Sequence, residues 1–586
     1  MKRINSLILF LLALTVMTTS CSDDKESSVG ITDQSWTEGE EFEISTEKDV
    51  TIRFTAYGKW AASVTDGADW CKLSQTSGDK GSHSFIVFVN GEATTDRTAT
   101  VTVNADGNPS SFKVVQKASG EAVVNREVDK YLNEMYLWNN EYKTLEKDFA
   151  QDYESFFYGN LLSMNTNTLD KKSYIGSDGN IKYNLFSYIQ KKNPIGTRAT
   201  TQIARELEYS FGFTGMIAVR MSGNKVSLCP QGIYSESPAA EGGVKRGAFL
   251  SKMDGKEITQ NNFNQIYAQL MLPESATTIT LTEIEMDEEG NFKRDESNAL
   301  RTRDITLTAR AMYKNPILHH EVITSENGQK IGYLVYENFD AGFDDDLFNV
   351  FKEFKSEGIQ DLILDLRHNG GGHVISANLI ASCVAGSSCS GKVFAQYRYN
   401  EERMKKIGNT QPKEKFAYDW YANLKTSLAA GELNLKRLYC LVTSATASAS
   451  ELVINSLKGI DVNVVLIGGQ TTGKNVGMEP KDITVENDTY EVVPITFQTY
   501  NAKGFGEYED GFRPDIELIE EDADGDGYFD HYRSFGHPSE PLLARAIQEI
   551  TGAQPRDTRS LMRTPANGKA YALPAVLRPG HYGMIK

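Results

Sequence analysis

Between residues 331 and 467, apolar runs of strand length alternate with helical patterns, and this alternation limits the chain more than any other feature. Residues 331–336, 362–366, 437–442 and 462–467 are short, nearly continuous apolar runs. Between them, residues 344–357 place Leu347, Val350, Phe351 and Phe354 on one helical face, and residues 451–457 again have helical spacing. Runs without alternation suit strands covered on both faces, and intervening helices suit the crossovers of a parallel sheet. The spacing predicts an α/β core over residues 311–552.

Within that core, residues 446–451 read TASASE and sit where a strand gives way to a helix, which places Ser448 at the junction. Free backbone N–H groups at a helix start can stabilise a developing oxyanion. The next strand runs into residues 468–474, GGQTTGK, and sets Lys474 on a glycine-flanked turn. A buried lysine gives up its proton more readily, so Lys474 is a candidate general base for Ser448. A helix cap and an ordinary turn are the plain readings of the same residues. Upstream, residues 364–372, LDLRHNGGG, put a glycine loop at the carboxyl end of a strand, where open α/β sheets place their sites.

In that order, DLRHNGG, TASASE and GK resemble the C-terminal-processing (tail-specific) serine peptidases, over residues 120–550. The resemblance implies a Ser–Lys dyad of Ser448 and Lys474, with Gly371 and Ala449 giving backbone N–H groups to the oxyanion. It implies no cofactor and no metal. Two departures stand out: the Ser448–Lys474 spacing is one residue longer than the family's, and Met478 replaces a Gln that often orients the lysine. His368 and His373 flank the glycine loop and offer a Ser–His alternative. Asp365 and Arg367 read as scaffold, and Glu451 as a carboxylate at a helix start.

The net charge of −18, with no block of basic residues, excludes a nucleic-acid footprint. Lys2 and Arg3 precede an apolar run over residues 7–16 that is too short to span a bilayer. With residues 18–21 behind it, this start resembles a lipoprotein signal over 1–21 with Cys21 lipidated, followed by a polar tether over 22–28. The expectation is an outer-membrane lipoprotein facing the cell surface, with a periplasm-facing anchor as the alternative. The remaining Cys71, Cys229, Cys383, Cys389 and Cys440 are odd in number and scattered, which is no disulfide framework.

The chain of 586 residues is too long for one core, and its fold class is multidomain. Residues 30–118 carry short alternating runs of a β-sandwich and resemble a BACON domain, which implies carbohydrate or mucin binding; a spacer is the competing role. Trp60 and Trp70 there are equally at home in a core. Residues 122–204 read as a helical segment. Residues 205–310 resemble a PDZ domain through SPAAEGGV at 237–244 and MDG at 253–255, with Ala248 where the family has Asp; this implies capture of a chain end as an added strand. Residues 522–530 have EF-hand-like spacing, yet Arg533 takes the place of the closing Glu, so an acidic turn is expected. The whole predicts a serine endopeptidase acting on unfolded or flexible polypeptides. A non-catalytic surface lipoprotein that binds glycan or protein is the alternative, and esterase or amidase chemistry on the same serine stays open.

Overall fold

The computed structural model describes residues 29–175, 180–192, 197–198, 203–287, 290–523, 529, 532–552, 570–571 and 584–585. The expected signal over 1–21 with its expected lipidation site Cys21, the expected tether to Ser28, the loop expected at 176–179 and most of the acidic turn expected at 522–530 lie outside the described residues. The chain divides into two compact units, Met1–Val123 and Val124–Lys586.

In the first unit the described strands form a four-stranded and a five-stranded sheet. Alternation sets the inner face: in Arg97–Ala105, Ala99, Val101, Val103 and Ala105 are buried while the residues between them are not. Trp36, Trp60 and Trp70 belong to this core, with Trp60 stacked 6.0 Å from Phe85, so neither expected tryptophan is an exposed sugar platform.

In the second unit, α1 (Gly120–Met135) and α2 (Tyr153–Ser163) agree with a helical reading, but the segment expected to be helical over 122–204 is helical only that far. Lys171–Ile175 (β1) and Ile181–Leu185 (β2) form an antiparallel hairpin, and Tyr188–Lys191 (β3) pairs with Asp488–Val493. The reason for the correction is long-range: β3 finds its partner about 300 residues away, beyond the reach of a local pattern. Residues 205–310 form a sheet ordered β8–β7–β6–β5–β4, from β4 (Phe213–Arg220), β5 (Val226–Ile233), β6 (Phe249–Met253), β7 (Thr278–Ile284) and β8 (Thr302–Thr308). Helix α3 (Phe263–Met271) buries Ile266, Leu270 and Met271 against it. Ala570–Tyr571 pairs along the free edge of β4.

The α/β core follows the predicted alternation. Strands β9 (Ile317–Thr324), β10 (Lys330–Tyr336), β11 (Asp361–Asp365), β13 (Arg437–Val442), β14 (Asn463–Gly468) and β19 (Ile516–Glu517) make one sheet in that order, parallel from β10 onward. Helices α4 (Asp344–Glu357), α5 (Val374–Ala385) and α6 (Ala449–Gly459) contribute to the core on one face, and α7 (Pro541–Thr551) to that on the other. Strand β10 divides between them: Leu334 and Tyr336 join the first core, Ile331, Tyr333 and Val335 the second. Asp344, Asp345 and Asp346 favour the positive start of α4, and Gly358 ends it in the left-handed region.

A second sheet pairs β12 (Val393–Tyr399) with β18 (Ile495–Tyr500), and β18 with β15 (Val476–Met478). Met584–Ile585 lies parallel between β15 and Gly372–His373. Strands β16 (Lys481–Val485) and β17 (Asp488–Val493) join β3 in a three-stranded sheet. All five described cysteines are buried and free.

Candidate active site

Parallel register brings the carboxyl ends of β11 and β13 side by side, with Leu364 opposite Cys440. The turn after β13 is tied to the turn after β11 by two threonines. Thr446 Oγ1 donates to Leu366 O at 2.8 Å, and Thr443 Oγ1 donates to Arg367 O. Ser448 follows with φ 62° and ψ −112°, a conformation that side-chain-bearing residues rarely adopt. Helix α6 starts at Ala449, whose N–H lies in the first turn, ahead of any carbonyl of the same helix. Ser448 is fully buried, and its Oγ has no hydrogen-bond partner.

Gly371 lies directly against this turn. A Cβ there would stand 2.8 Å from Ser448 Cβ and 3.1 Å from Ala449 N, and φ is +113°, so space and backbone both require glycine. Its N–H donates to Asn369 Oδ1 at 2.9 Å, while Asn369 Nδ2 donates to Tyr336 O at 2.8 Å.

Lys474 arrives on the turn after β14 and is fully buried. Its Nζ stands 4.4 Å from the Phe186 ring centre and 3.9 Å from Met478 Sδ. Burial lowers its pKa to about 7, against the opposing pull of the Asp170 and Glu451 charges.

Glu451 joins the two halves of the site, a role the sequence reading missed. One carboxylate oxygen accepts the N–H groups of Ser448 and Lys474, both at 2.8 Å; the other accepts Thr471 Oγ1 at 2.6 Å and Gly473 N–H at 2.7 Å. Burial pushes its carboxyl above the usual range, and these four donated bonds oppose that shift. The spacing S-x-x-E was the available signal for a capping carboxylate; its reach to the lysine turn depends on tertiary structure.

Asp365 and Arg367 form a buried ion network. Arg367 donates to Asp365 Oδ2 at 2.6 Å and to Glu540 Oε1 at 2.6 Å, and stands 2.9 Å from Glu520 Oε1. Arg246, just before β6, pairs with the same Glu520. His368 is buried beside it, where desolvation and the charges of Arg246 and Arg367 lower its pKa to about 3. His373 turns Nδ1 to within 3.0 Å of Phe339 O. Neither histidine hydrogen-bonds Ser448 Oγ. Among the described residues, no group of three or more His, Cys, Asp or Glu side chains could hold a metal ion.

The sequence and fold are similar to those of known proteins. Residues 330–518 match the model of peptidase family S41, and residues 60–117 match the BACON model, described as "Putative binding domain, N-terminal". The "Carboxyl-terminal-processing protease" of Picosynechococcus sp. is 25% identical over 240 residues, which is 41% of this chain and 49% of that protein. The "Carboxy-terminal-processing protease" of Bartonella bacilliformis is 27% identical over 270 residues, 45% of this chain and 52% of that protein. The chain thus spans about half the length of these curated relatives. A solved structure described as "Putative S41 protease from Bacteroides fragilis NCTC 9343" is 25% identical, with a TM-score of 0.55, over 73% of this chain and 98% of the other. The likeness to peptidase family S41 is thus carried by residues 330–518, and the likeness to the BACON model lies ahead of it in the same chain.

Proposed function

We propose that the protein is a serine endopeptidase of the carboxyl-terminal-processing type, with Ser448 as nucleophile and Lys474 as general base. The observation that carries this reading is a fully buried lysine, with its pKa brought to about 7, tethered through Glu451 to a serine in a strained turn at a helix start. Neutral Lys474 takes the Ser448 proton as Oγ attacks the scissile carbonyl carbon. The resulting ammonium then gives that proton to the departing amine. Water hydrolyses the acyl-serine by the same proton traffic in reverse. Ala449 N–H is the ready oxyanion donor; Gly371 N–H joins it by leaving Asn369 Oδ1.

Residues 205–310 act as a PDZ domain that holds an extended chain end as an added strand along the edge of β4, the edge on which Ala570–Tyr571 pairs with Val219 and Ala218. The substrate is an unfolded or flexible polypeptide. Residues 1–21 direct export and Cys21 anchors the chain as an outer-membrane lipoprotein. The BACON domain binds carbohydrate or mucin through a surface that does not use Trp60 or Trp70. The test is cleavage of an unstructured protein by the chain without residues 1–21, beside Ser448→Ala and Lys474→Ala. Both variants should fold and lose activity by about 10³-fold or more. Equal cleavage by all three would transfer the activity to another nucleophile.

A further inference from the structure

The lysine's support comes from an unexpected direction. Four residues beyond Lys474, Met478 offers only a thioether at 3.9 Å, a weak acceptor for an amine. On another side Phe186 covers Nζ at 4.4 Å, and Phe186 is held by Asp170, whose backbone carbonyl accepts its N–H at 3.0 Å. The Asp170 carboxylate takes the next two donors as well: Ser187 N–H at 2.8 Å and Ser187 Oγ at 2.6 Å. Tyr136 Oη is a third donor to that carboxylate, at 2.7 Å.

Both hydroxyls are already used as acceptors. Asn167 Nδ2 donates to Tyr136 Oη at 3.0 Å, and Ile495 N–H donates to Ser187 Oγ at 2.9 Å. Each is therefore set to donate to Asp170, which fits a carboxylate better than a carboxylic acid. Asp170 is fully buried, so water screens its charge little. Ile495 also closes the geometry, because it pairs with Met478 in the strand that follows the lysine.

We propose, building on the Ser448–Lys474 reading, that Asp170 is the positioning residue of the general base: its backbone carbonyl fixes Phe186 over Lys474, its carboxylate fixes the adjoining Ser187, and its charge favours the ammonium formed when the serine proton is taken. Among the described residues, the charged groups facing Lys474 are Asp170 and Glu451. Around Asp170 stand Tyr136 and Tyr158, and Tyr508 faces Glu451. Removing the Asp170 charge makes the ammonium less favourable, so Lys474 becomes neutral at a lower pH. A loosened, wetter site would do the reverse and move the lysine toward its ordinary value. The direction of the shift therefore separates an electrostatic role from a merely structural one.

The experiment follows the rate at which a fluorophosphonate probe modifies Ser448 in the full chain, read by intact mass across about pH 5 to 9. Asp170→Asn, nearly isosteric, should lower the inflection by about one pH unit or more. Tyr136→Phe strips a donor that stabilises the charged form of Asp170, so the carboxylate holds its charge less well, supports the ammonium less, and should lower the inflection by a smaller amount. It serves as the measurement if Asp170→Asn does not fold. An unchanged or raised inflection in either folded variant overturns the proposal. Lys474→Ala separates the two readings. If it is silent while Asp170→Asn keeps the wild-type inflection, only the role of Asp170 falls; if it labels at the wild-type rate, the base itself is misassigned.

Discussion

The first unit packs Trp36, Ile52, Phe54, Phe112 and Val114 into an apolar interior, and among its described residues Gln116 is the one buried polar side chain. The second unit is built from equally apolar layers yet buries Asp170, Asp365, Arg367, Glu451, Lys474 and Glu540. Burying charge costs several kcal/mol per ion unless partners are arranged around it. In the second unit those partners converge on the loops around Ser448 and Lys474. The contrast teaches where chemistry resides: a sandwich that only has to hold its shape can be specified by apolar alternation, whereas a site that moves protons retains ions against the preference of its own interior.

Four measurements break or sharpen this contrast. Arg367→Ala should have the largest effect, since it leaves Asp365 and Glu540 buried without their cation. Urea unfolding should show a loss of about 3–5 kcal/mol, and cleavage should disappear with it. A near-neutral result would mean that the second unit tolerates unpaired charge, and the contrast would fail. Glu451→Gln must turn an amide NH2 toward backbone donors. Cleavage should drop roughly 10- to 100-fold, as expected for the loss of one charge-assisted hydrogen bond of about 1.5–3 kcal/mol.

The third measurement is pH dependence. Lys474, with its pKa lowered to about 7, accepts a proton only when neutral. Cleavage should therefore climb about tenfold between pH ~6 and ~8; a flat profile would remove the lysine from the rate. The smallest effect on cleavage belongs to the first unit. Trp60→Ala should destabilise that unit by about 3–5 kcal/mol while cleavage of an unstructured substrate stays within about twofold of wild type. A large fall in cleavage would join two regions that the contrast separates.

Much of this was legible in the sequence for a physical reason: the features concerned are local. Buried strands announce themselves by length and apolarity, as 362–366 and 437–442 do, and the strand–helix junction at Ser448 follows from the pattern on either side. Residues 188–191 were misread because their pairing is tertiary: Tyr188 takes its register from Val493, and no spacing inside the segment records that, whereas the hairpin of 171–175 with 181–185 is local. The same limit hid Asp170 and Glu540, which meet Lys474 and Arg367 across roughly 300 and 170 residues of chain. Glu451 was visible as a helix-start carboxylate, but its second duty depends on the turn at Thr471–Lys474 folding back onto α6.

The Arg367 network also has a consequence in time. Asp365 and Arg367 are neighbours in the chain and can pair as soon as both exist, but Glu520 and Glu540 are synthesised more than 150 residues later. Glu540 also caps the start of α7, its carboxylate accepting Leu543 N–H at 2.8 Å, so that helix and the arginine settle together. A chain still emerging from the ribosome therefore holds Ser448 and Lys474 before it holds the anchor of the glycine loop. In a growing chain the arginine before the glycine loop gains its Glu540 partner only when α7 gains its cap.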